Sequence, residues 1–183
     1  MLITGHDEPI AGAARIAEDL GRIRECVQYI LDQTIEGMNQ NKDVFTLMRE
    51  IQLPTELEPA PGRGPVSWYV RSVWEELTGW FRQESTTELY GVPQRAIWAE
   101  LSAMAGGPDA LAEHARAHVE AGRPLEALHF TDMVFSLDPA HRAAREAELA
   151  ALEQLLERSG GSCYDEVGWL ESEIRIAKEY LHS

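Results

Sequence analysis

A histidine close to the start of the chain stands where a metal or a substrate could be held. The stretch LITGHDEPIAG places a short apolar run before Gly5 and His6, and a turn containing Pro9 follows. Histidine is the commonest metal ligand among side chains. A hydrolytic zinc needs three or four protein ligands, however, and this stretch supplies one. From the residues alone, His6 is either part of an incomplete metal site or a side chain that caps a turn.

A second histidine pattern lies in the middle of the chain. His114 and His118 are four residues apart, a spacing at which one helix face can hold a metal. No third histidine or acidic residue accompanies them on that face. The pattern therefore favours solvated or capping histidines over a metal site.

Aromatic residues offer a third kind of site, an apolar pocket. The residues concerned are Trp68, Tyr69, Trp74 and Trp98. Aromatic side chains at helical spacing more often belong to a core or an interface, so the pocket is the less favoured alternative. The sequence contains no nucleophile elbow, phosphate loop or dinucleotide fingerprint. We therefore predict no catalytic residues in this chain.

The charge balance excludes some classes of partner. The 183 residues include 31 acidic and 16 basic side chains, for a net charge of −15. Nucleic acids and anionic membranes both require basic surfaces, so we expect neither as a partner. No apolar run approaches the ~20 residues of a membrane span. Cys26 and Cys163 are far apart and in no metal-binding spacing, which favours free thiols and a cytoplasmic location.

The sequence predicts a long amphipathic helix near the start of the chain. From residue 13 to residue 38 the apolar residues recur in steps of three and four, close to a heptad rhythm. The predicted helix is about 39 Å long at 1.5 Å per residue. Its stripe has to be buried, either in the core or against a second copy. The stripe consists of Ile16, Leu20, Ile23, Val27, Ile30 and Met38.

Helical periodicity continues to the end of the chain. Further helices are predicted near 43–51, 66–81, 93–104, 109–121, 124–136, 139–158 and 164–181. The stretch 108–141 has the spacing of one tetratricopeptide unit, with small residues at Ala115 and Ala127 that let two antiparallel helices approach closely. We predict an all-α multi-helix bundle with one tetratricopeptide-like hairpin and an orphan short strand at the N-terminus.

The order of these segments resembles the C-terminal part of the alkylsulfatases, a family within the metallo-β-lactamase superfamily. GHDEPIAG resembles the segment with the last metal ligand, and YILDQTIEGMN resembles the long helix after it. GPVSWYVRSVWEELTGWF and AMAGGPDALAEHARAHVEAGRPLEALHFTDMVFSLDP are similar to parts of the dimerisation domain. The resemblance implies a remnant of a metallo-β-lactamase-like domain at 1–12 and a helical dimerisation domain at 13–183.

The resemblance also implies a role for the first histidine. His6 corresponds to the last ligand of the family's zinc site, but the family's first metal motif, H-x-H-x-D-H, does not occur in this sequence. We therefore expect no cofactor in the isolated chain, although zinc is the cofactor of the family. Trp68 and Tyr69 stand where the family has a histidine and an asparagine that help to bind sulfate.

Three functions remain open on this evidence. The first is a non-catalytic helical dimerisation module of an alkylsulfatase-like protein, acting as a homodimer. The second is a C-terminal fragment of a zinc-dependent metallo-β-lactamase-fold hydrolase, active only with its missing N-terminal domain. The third is a bundle that binds a small molecule near the tryptophans. We favour the first, and expect this chain alone not to be an enzyme.

Overall fold

The computed structural model describes residues 1–4, 8–57, 64–81 and 84–182. Within these ranges the regular structure is eight α-helices and three short 3-10 helices, so the all-α prediction is confirmed. The α-helices are α1 (Ala13–Asn39), α2 (Val44–Glu50), α3 (Val66–Thr78), α4 (Trp98–Ala105), α5 (Pro108–Glu120), α6 (Pro124–Phe135), α7 (Arg142–Arg158) and α8 (Tyr164–His182). The chain forms two compact units, residues 1–82 and residues 83–183.

The first unit is organised around the C-terminal half of α1. Its core consists of Ile30 of α1, buried side chains of α2 and the segment after it, and Val70 and Trp74 of α3. Met38 packs against this core from the end of α1. The periodic stripe predicted the length of α1 well, because its apolar steps continue to the last turn.

Local signals in the sequence explain where α2 and α3 begin and end. Asp43 caps α2 by accepting hydrogen bonds from the backbone N–H of Thr46, at 3.0 Å, and from its hydroxyl, at 2.6 Å. These bonds stabilise the carboxylate and hold the pKa of Asp43 below its usual value. Helix α3 was predicted to reach Phe81 but ends at Thr78, because Gly79 adopts the left-handed φ of 67° that stops a helix.

The second unit contains two helical hairpins, α5–α6 and α7–α8. Ala115 and Ala127 are fully buried where α5 meets α6, as their small size predicts, and Ala147 and Ala151 of α7 join the same cluster. The sequence indicated one hairpin, and the second packs on it through α7. The tetratricopeptide likeness of the first hairpin stays a prediction.

Helices α4 and α7 begin later than predicted. Residues Gln94–Ile97 form a 3-10 helix, and α4 starts only at Trp98. Helix α7 begins at Arg142 and not at Pro139, because His141 caps it: its Nδ1 accepts the N–H of Ala144 at 3.3 Å. The other ring nitrogen of His141 lies 3.0 Å from Asp109 of α5.

The short strand expected at the N-terminus is a single antiparallel bridge in the residues described. Leu2 and Ile10 exchange two backbone hydrogen bonds of 2.8 and 2.9 Å. Among the residues that the structure describes no further strand extends this pair, so it does not develop into a sheet. No helix in the described ranges has both the length and the apolar character required to cross a bilayer.

Candidate dimer interface

Helix α1 has a buried side and an exposed side. Its fully buried residues are Cys26, Ile30, Thr34 and Gly37, all in its C-terminal half. The thiol of Cys26 donates to the carbonyl oxygen of Leu57 at 2.7 Å, which joins α1 to the 3-10 helix Thr55–Leu57. The covered face of α1 therefore begins near residue 26.

The six residues of the predicted stripe divide between core and surface. Ile30 is only 4% exposed and belongs to the core, while Ile16 and Met38 are half-buried. Leu20, Ile23 and Val27 are 49%, 55% and 49% exposed. We call these three residues the α1 patch. They form an exposed apolar row along one side of α1, as at a contact site.

A second exposed apolar row lies on α4 and the residue before it. Ile97, Leu101 and Met104 are 51%, 38% and 85% exposed, at positions i, i+4 and i+7. We call these three residues the α4 patch. The sequence predicted a helix over these residues, at 93–104, but the row on it was not singled out; the observed α-helix begins only at Trp98. The i, i+4, i+7 spacing was the signal that could have revealed it.

The aromatic residues of the predicted pocket occupy different environments. Trp74 is 8% exposed and lies in the core of the first unit, whereas Trp68 and Tyr69 are each 43% exposed on α3. Trp98 is half-buried on α4 of the second unit. The pocket stays a prediction. An open groove of about 420 Å³ has a different lining, in which Leu156 and Ile174 take part.

The central histidine pair packs against an aromatic ring. The rings of His114 and His118 stack on Phe130, with centroid distances of 5.6 and 5.2 Å. Nδ1 of His118 accepts a hydrogen bond from Nε of Arg123 at 3.0 Å. The prediction that these histidines are solvated or capping residues, and not metal ligands, stays a prediction.

The side chains that the structure describes do not fit a zinc centre. In residues 1–4, 8–57, 64–81 and 84–182, no three His, Cys, Asp or Glu side chains converge as metal ligands. His6, the predicted ligand, lies outside the described residues. We therefore assign no metal chemistry to these parts of the chain.

Comparison with known proteins decides the family. The family model described as alkyl sulfatase dimerisation matches residues 46–163, which is more than half of the chain. The chain belongs to this alkyl sulfatase dimerisation family. The resemblance that the sequence motifs predicted is confirmed. The matched residues include the α4 patch and begin after the α1 patch.

Individual relatives agree with this assignment. The alkyl/aryl-sulfatase BDS1 of Saccharomyces cerevisiae is 28% identical over 159 residues, which are 85% of this chain and 24% of the yeast protein. A linear primary-alkylsulfatase of a Pseudomonas strain is 28% identical over 114 residues, 60% of this chain and 21% of that protein. The chain thus spans about a quarter of the length of these relatives.

A solved structure shares the fold. The stereoselective inverting sec-alkylsulfatase Pisa1 from Pseudomonas sp. superimposes with a TM-score of 0.77, over 94% of this chain and 28% of that one. At 21% sequence identity the likeness is evidence for the fold alone.

Proposed function

We propose that this chain is a non-catalytic helical module that joins two copies of an alkylsulfatase-like protein into a homodimer. The observation that carries the proposal is the α1 patch, an exposed apolar row in a chain that belongs to a dimerisation family. Exposed apolar patches often mark protein–protein contact sites, and closed two-fold pairs are the commonest oligomers.

The number of side chains in the α1 patch determines how much free energy its burial can contribute to dimerisation. Full burial of a Leu, Ile or Val side chain contributes about 1.5–3 kcal/mol, and these side chains are already about half-buried. Six such side chains, three from each copy, then contribute on the order of 6 kcal/mol. Association itself costs an estimated 4–15 kcal/mol, so the α1 patch alone leaves little surplus. A stable dimer therefore needs a further contact.

Light scattering at tens of micromolar tests the proposal. We expect a mass of about twice the 20.5 kDa of one chain. The double variant Leu20→Asp, Val27→Asp is expected to shift the protein to monomers, because it places two carboxylates in the α1 patch. The matched control is Leu125→Asp, Leu137→Asp, two exposed leucines of the second unit. A wild-type protein that remains a monodisperse monomer would refute self-association.

A second candidate is a fragment of a zinc-dependent hydrolase that needs a metallo-β-lactamase-like domain as partner. The chain covers only about a quarter of the length of its relatives, which are named as sulfatases, and this favours the second candidate. Zinc analysis after dialysis, together with a sulfate-ester hydrolysis assay of the chain alone, separates the candidates. Stoichiometric zinc and an activity that His6→Ala abolishes would support the hydrolase. Their absence is expected for the dimerisation module.

The net charge and the two cysteines of the chain support inferences about other classes of partner and about its location in the cell. The net charge of −15 supports protein contacts over nucleic acid or anionic membrane contacts. Cys26 and Cys163 are both buried and form no disulfide in the described part of the chain, which supports a reducing, cytoplasmic location. Fractionation of the source cells tests the location, and a gel-shift assay with duplex DNA tests the exclusion of nucleic acid.

A further inference from the structure

The two exposed apolar rows have the same spacing when one of them is read in the opposite direction. On α1, Leu20, Ile23 and Val27 occupy positions i, i+3 and i+7, and Arg24 occupies i+4. At α4 the same four positions hold Ile97, Glu100, Leu101 and Met104. Each row covers seven residue steps, or roughly 10 Å along a helix. The two patches are therefore of equal length, and each has one charged residue among three apolar ones.

The two charged residues are of opposite sign and are available for a partner. Arg24 and Glu100 are both exposed. In the described part of the chain, ion pairs form at neighbouring positions, such as Arg15 with Asp19, but neither Arg24 nor Glu100 takes part in one. The charge of each patch is thus unmatched by the side chains around it.

The charges discriminate between the ways in which two copies can pair. If α1 met α1, the apolar contact would contain two arginines and no acid from the patches. If α4 met α4, it would contain two glutamates. If α1 of each copy met α4 of the other, each contact would contain one arginine and one glutamate, and a two-fold dimer would form this contact twice. Opposite charges that face each other across a contact favour the last arrangement.

We infer that the α1 patch of one copy packs on the α4 patch of a second copy, with Arg24 facing Glu100 of the partner subunit. The inference rests on the proposed homodimer and specifies its contact. The family match covers residues 46–163, which supports the α4 patch as one side of the contact; the α1 patch lies before the matched residues. The cross contact also supplies the further apolar area that the α1 patch alone lacks.

Charge reversal at the two positions tests the pairing. Arg24→Glu and Glu100→Arg alter exposed side chains and leave the apolar rows intact, so each variant should fold. Each single variant places like charges at both contacts of its homodimer, and we expect the dimer Kd to rise about tenfold. The double variant Arg24→Glu, Glu100→Arg restores opposite charges and should recover the wild-type Kd. Native mass spectrometry of the two single variants in a mixture should show mainly the mixed dimer.

The Glu100→Arg variant separates a local contact from the effect of total charge. It makes the acidic chain less negative by two units, so general repulsion between copies falls. A weaker dimer in spite of this change supports the local contact. The apolar part is tested by Leu101→Asp, with Leu125→Asp as the control at an exposed leucine of α6.

The outcomes distinguish this inference from the proposed function. If the wild type is a dimer that depends on Leu20 and Val27, but Glu100→Arg and Leu101→Asp leave its Kd unchanged, the cross contact is refuted and the homodimer stands. If the single charge variants dimerise like the wild type, α1–α1 or α4–α4 pairing replaces it. A monomeric wild type refutes both proposals.

Discussion

Gly37 of α1 lies directly against Leu47 of α2, with no room for a side chain. A Cβ at residue 37 would stand 3.1 Å from Cδ1 and 3.3 Å from Cγ of Leu47, and closer still to Cδ2. Leu47 is 1% exposed and belongs to the core of the first unit, so it cannot move aside into solvent. The contact of the Leu47 side chain with α1 thus depends on the absence of a side chain at residue 37.

The first prediction follows from this contact. Gly37→Ala should lower the free energy of unfolding of the first unit by about 1–2 kcal/mol. The intrinsic helix preference of alanine contributes up to about 1 kcal/mol of stability, but overpacking a core costs typically 1–3 kcal/mol. Urea unfolding followed by circular dichroism measures the difference.

The same helix provides the control. An added Cβ at Gly21 would meet nothing within 4 Å. Gly21→Ala should therefore stabilise the first unit by about 0.5–1 kcal/mol. If Gly37→Ala proved equally stabilising, the close packing of Leu47 against α1 would be wrong.

The second prediction concerns an ion pair in the second unit. Nη1 of Arg145 donates to Glu148 at 2.7 Å, and both side chains are less than 15% exposed. The Arg145 guanidinium also lies 3.8 Å from the centre of the Phe135 ring. Arg145→Met should cost about 2–3 kcal/mol, because it leaves the Glu148 carboxylate poorly solvated and without its cation.

A second substitution distinguishes this cause from lost packing. Arg145→Met combined with Glu148→Leu removes both charges, and replacement of a whole buried pair is often neutral. The double variant should therefore be more stable than Arg145→Met alone, a deviation from additivity that thermal unfolding measures. Equal or greater destabilisation would show that packing of Arg145 on the ring dominates.

The third prediction is a pH dependence at Asp132 of α6. Desolvation by neighbouring protein atoms raises the pKa of this carboxyl above 3.8, against an opposing attraction to His129, although the side chain keeps an exposed surface. Ionisation therefore costs stability above the folded-state pKa, and the cost disappears as the pH falls towards 3.8. Asp132→Asn should be more stable than the wild type at pH 7, with a difference that shrinks as the pH approaches 4.

The control for the pH profile is Glu157→Gln on α7. This substitution also removes one negative charge from an exposed side chain. If it stabilised the protein as much as Asp132→Asn at pH 7, relief of overall negative charge and not desolvation of the Asp132 carboxyl would be the cause.

The sequence predicted the helices of this fold better than their boundaries. The 3.6-residue period depends on the chain alone, so α1 was found with nearly the bounds observed. The ends of α3 and α7 depend on single residues, Gly79 and His141. A glycine can continue or stop a helix, and a histidine cap requires a side-chain orientation that the sequence does not specify.

The candidate interface was only half predictable. Periodicity identified the α1 stripe but could not show that Ile30 is covered while Leu20 remains exposed, because coverage depends on where α2 and α3 pack. The α4 patch escaped detection although a helix was predicted at 93–104, because the exposure of its apolar residues depends on how that helix packs. The resemblance to the dimerisation domain rested on longer segments and did not depend on these details.

The last prediction is the response of the dimer to salt. Two copies that each carry a net charge of −15 repel one another, and NaCl screens this repulsion. Apolar contacts do not weaken as NaCl rises, whereas the two exposed Arg24–Glu100 contacts do. The dimer Kd from sedimentation should therefore stay level or fall between 50 and 500 mM NaCl, while the defect of Glu100→Arg should shrink. A dimer that dissociates steeply as salt rises would be held mainly by charge, and the apolar patches would not be its contact.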